Sequence, residues 1–293
     1  MKQLLIILIL GTYFNPGFGQ ATSDNTAVPV DSIKAAASTL TIGAVYANNA
    51  DYYGQAAESR IPYAAVAASW KLKSGFYVTA LAYRLLNDSL SAAVSASNFG
   101  AGYSYSIDNH WTADLGYNHT FYPAYSPFLQ ASNPDNASLS LEYDNGLDSK
   151  ISADYAFGKT QDFFISAGTG KQINLGSIGR KDLITFTPTL SVVAGTQHFY
   201  QTYLIEKKLR DSVLGLVMNP IFGNGSTPDD PASVTKMSTQ FNLISYSLKC
   251  PLAYNRAHYL FEVQYQLSVL SNKAQSGAGK ANSFFSCSFY YQF

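Results

Sequence analysis

Cysteine, charge and long apolar runs are all scarce in this chain of 293 residues, and each scarcity excludes a class of protein. Two cysteines without C-x-x-C spacing rule out a disulfide framework and any thiol motif for zinc or redox work. Only 13% of residues are charged, roughly half the usual share for a soluble domain. The 19 basic residues balance the 19 acidic ones, so no basic excess exists to grip a phosphate backbone, and nucleic acid is excluded as a partner. Gly-x-Ser-x-Gly, His-Glu-x-x-His and P-loop signatures are missing. No metal set or cofactor motif stands in their place. Beyond the first residues, no run approaches the ~18 apolar residues of a spanning helix.

Aromatic residues, by contrast, are plentiful, with 22 Tyr and 18 Phe. Such content excludes a disordered chain, and with so little charge it does not fit a water-facing surface. The amino terminus carries an address. Lys2 precedes the apolar run from Leu4 to Leu10, and Gly17 and Gly19 occupy the −3 and −1 positions before Gln20. Residues 1–19 therefore read as a secretory signal peptide, with a cut after Ala21 as second choice, and 20–37 as a periplasmic segment. The run is broken by Gly11 and Pro16, too early for a membrane anchor.

From residue 38 to 293 the pattern is alternation. A chain without a helical span enters a membrane only as a closed β-barrel, whose signature is alternating segments of about ten residues. Leu40 to Asn48, Ile61 to Lys71, Phe76 to Leu86, Ser97 to Ile107 and His110 to Tyr122 are the first five candidates. Ala137 to Tyr143, Ile151 to Phe157, Asp162 to Gly170, Leu183 to Thr196, Gln240 to Lys249, Tyr259 to Val269 and a last one from Ser283 to Phe293 follow. The expected fold is all-β: an antiparallel up-and-down transmembrane barrel of about twelve strands, both termini periplasmic. Short links at Ser74-Gly75, Asp108-Asn109, Asp144 to Gly146 and Pro251 to Arg256 alternate with longer ones, as periplasmic turns alternate with outer loops. Gly158 to Gln161 is short where a loop is due, and Lys171 to Lys181 long where a turn is due. A secreted β-sandwich is the competing fold, but it has no use for aromatic residues facing outward at strand ends.

The chain ends Phe289-Tyr290-Tyr291-Gln292-Phe293, with Phe285, Phe289, Tyr291 and Phe293 on one face. This resembles the carboxy-terminal strand of Gram-negative outer-membrane proteins, which implies that Phe289, Tyr291 and Phe293 are read by the barrel-assembly machinery. Residues Phe241 to Tyr254 resemble a late hairpin of small porin-like proteins of the TorF type, a likeness that implies no activity.

Alternation also assigns faces. The aromatic stripes, including Tyr77, Tyr83, Trp111, Tyr117, Phe121, Tyr143 and Phe157, are expected to form lipid-facing girdles. Arg84, Asp114, Glu142, Asp154 and Glu262 then fall on the lumen side, the last four at comparable heights. An acidic wall of Asp114, Glu142 and Asp154 predicts a constriction that favours cations. The competing reading has these carboxylates hydrogen-bonded to lumen Ser, Thr, Tyr and Asn, or to Lys249, within a packed interior.

The long link 198–237 contains Ile205, Leu209, Val213 and Leu216 at helical spacing, with Glu206 and Arg210 as an i,i+4 pair. It reads as an outer loop with a short helix that folds inward, lies on the rim or meets a partner. Asn49 to Tyr53 and Ser132 to Asn136 lack EF-hand spacing and read as ordinary loops. Hydrolase barrels carry His-x-Ser on a membrane-facing strand, whereas the four histidines here are followed two positions later by Thr112, Phe121, Tyr200 and Leu260. No enzyme is expected. The expected function is a narrow passive channel in the outer membrane for small, preferably cationic solutes. The alternatives are a plugged barrel whose loops bind a partner and, further off, a membrane-embedded hydrolase.

Overall fold

The computed structural model describes residues 38–86, 95–124, 126–179, 181–207 and 240–293. The signal peptide, the 20–37 segment, and Leu209, Arg210, Val213 and Leu216 lie outside the described residues. The strands in chain order are β1 (Thr39–Ala47), β2 (Tyr63–Lys71), β3 (Phe76–Leu85), β4 (Ala96–Ser106), β5 (Trp111–Phe121), β6 (Asp135–Asp144) and β7 (Asp148–Phe157). They continue as β8 (Gln161–Gly170), β9 (Ile173–Gly176), β10 (Asp182–Phe186), β11 (Thr189–Gly195), β12 (Asn242–Arg256), β13 (Tyr259–Leu270) and β14 (Ala281–Gln292).

Each strand pairs antiparallel with its chain neighbour from β1 to β8; β8 then pairs with β11, β11 with β12, and β14 closes on β1. The result is a closed ring of twelve strands, as the alternation predicts. Followed round the ring, the cross-strand pairs close with a stagger of about sixteen residues, which leans the strands about 45° from the barrel axis.

β9 and β10 explain the link that is too long for a turn. β8 resumes as β9 after Gln172, and β10 runs into β11 past Thr187 and Pro188, so both strands extend the ring downward and pair with each other. The true turn is only residues 177–181. Pro251 to Arg256, expected as a turn, is instead the end of β12, which pairs with β13 up to Arg256 and Tyr259. Pro251 is tolerated there because its carbonyl still accepts the Thr187 N–H at 3.1 Å, while Pro188 beside it has no N–H to place.

All short turns, the start of β1 and the end of β14 lie at one end of the barrel, the turn end. The links 48–62, 158–160 and 271–280, with residues 122–124, 126–134, 196–207 and 240–241, lie at the other, the loop end. Outward positions carry Val66, Leu115, Leu139, Ile151 and Leu190, each more than half exposed. Inward positions carry Ser, Thr, Asn, Gly and the charges.

One strand has the opposite phase from that expected. In β3, Tyr77 and Tyr83 turn into the barrel, and Arg84 faces outward and is exposed. The neighbours decide it: Trp70 and Val66 of β2 face outward, and they pair with Val78 and Ala82. Inside, glycine makes the room. A Cβ on Gly102 of β4 would stand 2.3 Å from the Tyr77 ring, so the inward Tyr77 lies where that side chain would be. Tyr290 covers Gly43 in the same way, at 2.2 Å.

Candidate functional site

The inner half of the lumen is polar. Asp114 accepts a hydrogen bond from the Tyr77 hydroxyl at 2.9 Å, and Lys150 donates to Glu142 Oε1 at 2.7 Å. A hydroxyl pair joins neighbouring strands beside them, Ser152 to Ser166 at 2.6 Å. Glu142, two residues from the turn end of β6, keeps 21% of its side chain exposed. Glu262 faces the same space from β13 and is half-buried.

The structure brings Asp114 and Glu142 together, Asp114 being opposite Ser140, two residues from Glu142. Two features differ from expectation. Lys150, directly opposite Glu142, was not among the expected lumen residues and interrupts the acidic wall. Asp154 does not share its level: it lies four residues beyond Lys150 toward the loop end and is buried, 2% exposed. The sequence carried a signal for Lys150, since it stands at an even spacing from Ser152 and Asp154 on one face of β7.

Asp154 is buried because loop 1, residues 48–62, enters the barrel. Tyr52 and Gln55 pair across a tight turn whose central residues, Tyr53 and Gly54, have φ of 54° and 82°. Both being left-handed, this is a type I′ turn, the form that matches the twist of a hairpin. Its tip is held on several strands. Ser245 Oγ donates to the Tyr53 carbonyl at 2.7 Å, Asn282 Nδ2 to the Gly54 carbonyl at 2.9 Å, and Gln266 Nε2 to Asp51 at 2.8 Å. The Tyr53 ring stacks on Phe164 with centroids 3.9 Å apart, and its hydroxyl hydrogen-bonds with Asp154. Since β7 is six strands from β1 in either direction, loop 1 crosses the lumen to make this bond. Gly54 is required twice over, for its φ and because a Cβ would stand 2.6 Å from Ser245 Oγ.

Further outward, the mouth is packed by other loops. Phe128 and Leu129 are buried against the wall, and residues 198–207 form a helix whose Phe199 and Tyr203 point inward. The helix starts on Asp162 of β8, fully buried, which accepts the His198 and Phe199 backbone N–H groups at 2.7 and 2.9 Å. Thr196 Oγ1, His198 Nδ1 and Asn133 Nδ2 complete its shell. A carboxylate at a helix amino terminus meets both the unpaired N–H groups and the positive end of the dipole. Lys159 to Glu206 at 2.5 Å and Lys207 to Glu58 at 2.9 Å tie the helix to the rim and to loop 1. Burial pushes the Tyr200 hydroxyl on this helix up to about 12.

On the outer wall, aromatic side chains gather near both ends. Trp111 and Tyr143 pack at 4.6 Å near the turn end. Tyr117, Phe121 and Phe157 face outward toward the loop end, and Phe289 and Tyr291 outward beside Tyr259. Aliphatic residues fill the band between. A closed ring that shows mainly hydrocarbon on its outer wall and turns most of its strand charges inward has lipid for its outer solvent. The molecule is a transmembrane β-barrel of the outer-membrane type. Among the described residues no helix is long and apolar enough to cross a membrane.

No family model and no curated protein matches the sequence. Solved structures with a similar architecture include the KdgM porin, at 9% identity and a TM-score of 0.48 over 86% of this chain and 99% of that one. LpxR from Salmonella typhimurium aligns at 10% identity and a TM-score of 0.44, over 86% and 99% of the two chains. The NanC porin aligns at 9% identity and 0.43, over 86% and 98%. At these identities the likeness is one of barrel architecture.

Proposed function

We propose that this chain is a passive outer-membrane channel for small polar solutes, with the turn end and both termini in the periplasm and the loops outside. The observation that supports the reading is the lining of the closed twelve-strand ring, whose inward positions carry Ser, Thr, Asn and most of the strand charges while its outward positions are apolar. Loop 1 narrows the path in the outer half and leaves the polar inner half below it. Among the described residues the inward carboxylates of that half, Asp114, Glu142, Asp144, Asp148 and Glu262, outnumber the inward lysines, Lys71, Lys150 and Lys249, and carboxylates in a narrow low-dielectric pore attract cations. The proposed solutes are therefore small, and cations are favoured over anions.

Planar-bilayer recording of the purified protein tests this. Small, steady conductance steps are expected from the wild type, larger ones when Asp51 to Ala57 is replaced by a short Gly-Ser link. Silence from both proteins overturns the channel and leaves a barrel that presents loops to a partner.

A further inference from the structure

The hairpin between β6 and β7 closes at the turn end with two carboxylates face to face. Asp144 and Asp148 are the last cross-strand pair, and the alternation that turns Glu142 and Lys150 inward turns both of them inward as well. Residues 145–147 make the turn, with Gly146 at a φ of 77° and its N–H donating to Asp144 Oδ1 at 3.4 Å. The two carboxyls stand within hydrogen-bond reach of each other. Asp148 is only 8% exposed, and its Oδ2 is buried without a hydrogen-bond partner.

Like charges directly opposite each other on a sheet repel, and burial sharpens the repulsion. The charges that act on Asp148 are Asp144 and Glu142, both of its own sign. Lys150, the next inward residue of β7, is turned to Glu142 Oε1 at 2.7 Å. On its other flank Asp148 pairs with Gly170, over which Thr189 Oγ1 lies, so the neighbour there is neutral. Two ionised carboxylates so placed offer only lone pairs to each other, and their contact is stable when an electron-pair acceptor lies between them. Oxygen donors suit a hard cation. Calcium fits better than magnesium, because it accepts irregular geometry, whereas magnesium demands a near-ideal octahedron. We infer that Asp144 and Asp148 bind one calcium ion at the turn-end mouth of the lumen, with water completing its shell. Two carboxylate ligands set the affinity at the weak end of protein calcium sites, about 10⁻⁴–10⁻³ M. The site stands whether or not the barrel conducts.

Thermal unfolding of the full-length barrel in non-ionic detergent, followed by tryptophan fluorescence, is the test, with calcium, magnesium or sodium added at matched ionic strength after chelator treatment. Calcium is expected to raise the wild-type midpoint with half-saturation at about 1 mM, magnesium less, and sodium not at all. In chelator, Asp148→Asn is expected to be at least as stable as wild type, since the repulsion is gone, and calcium should no longer shift it. Asp144→Asn should behave alike. Terbium luminescence, sensitised by Tyr143 and Trp111 beside the hairpin, reads occupancy directly, and its affinity should fall at least tenfold in both variants. A wild type that calcium does not stabilise, or a folded Asp148→Asn that responds to calcium as wild type does, overturns the site. So does a wild type stabilised by mild acid and not by calcium, since the pair then shares a proton.

Discussion

The Tyr53 hydroxyl, on the loop between β1 and β2, meets the Asp154 carboxylate on the strand diametrically opposite. The loop crosses the lumen to make that bond, which makes it part of the barrel interior.

Gly54→Val is the direct probe of that loop. Its φ of 82° is strained for a β-branched residue, and the new Cβ would meet Ser245. The tip is expected to leave its seat, at a cost of about 1–3 kcal/mol to the docked loop. Single-channel conductance should rise severalfold, and limited proteolysis should cut within 48–62 where the wild type resists.

Asp162→Ala removes the acceptor of five hydrogen bonds at the start of the 198–207 helix. Orphaned buried donors cost about 1–3 kcal/mol each at most, enough to release the helix without opening the ring. Hydrogen exchange should quicken at 198–203 and stay slow in β5 and β6.

Asp114→Asn with Glu142→Gln should lower the cation-to-anion permeability ratio, leaving Lys150 as the charge on that wall. Reversal potentials in a salt gradient measure it. An unchanged ratio would show that these carboxylates serve packing alone.

The facing of β3 is tested by charge insertion. Ala80→Arg places a cation outward near mid-membrane and should cost about 2–4 kcal/mol in a lipid-bilayer unfolding assay. Thr79→Asn, one residue away and inward, should cost less than about 1 kcal/mol.

Asp108 caps the turn between β4 and β5, accepting the backbone N–H groups of His110 and Trp111, each at 2.7 Å. These bonds hold its carboxyl below the usual range. A lowered value means the stabilisation is present above the ordinary carboxylate range and is lost as pH falls through the folded value. Wild type and Asp108→Asn should therefore differ in unfolding midpoint at neutral pH and converge in acid.

Strand number and antiparallel closure were legible because each strand repeats the same two-residue period. Faces were legible where one stripe was large and apolar and the other polar, as in β5 with Trp111, Leu115 and Tyr117 against Asp114, Gly116 and Asn118. They were not legible from size alone in β3, where Tyr77, Leu81 and Tyr83 oppose Val78, Ala80 and Ala82, both faces apolar. The hidden clue was glycine on the neighbouring strand, because an inward ring needs an empty place beside it. Loop 1 carried no periodic signal at all. Its position depends on Ser245, Gln266 and Asn282, contacts that no local pattern encodes.

Those contacts have a bearing on assembly. Ser245 lies 192 residues along the chain from Tyr53, and Phe164 and Asn282 come from other quarters of the ring. The seat of the first hairpin is thus made by strands synthesised long after it, and it exists only once the last has joined the first. Burial of Tyr53 is accordingly a late step, and a fluorescent label on loop 1 would time the moment at which the circle is sealed.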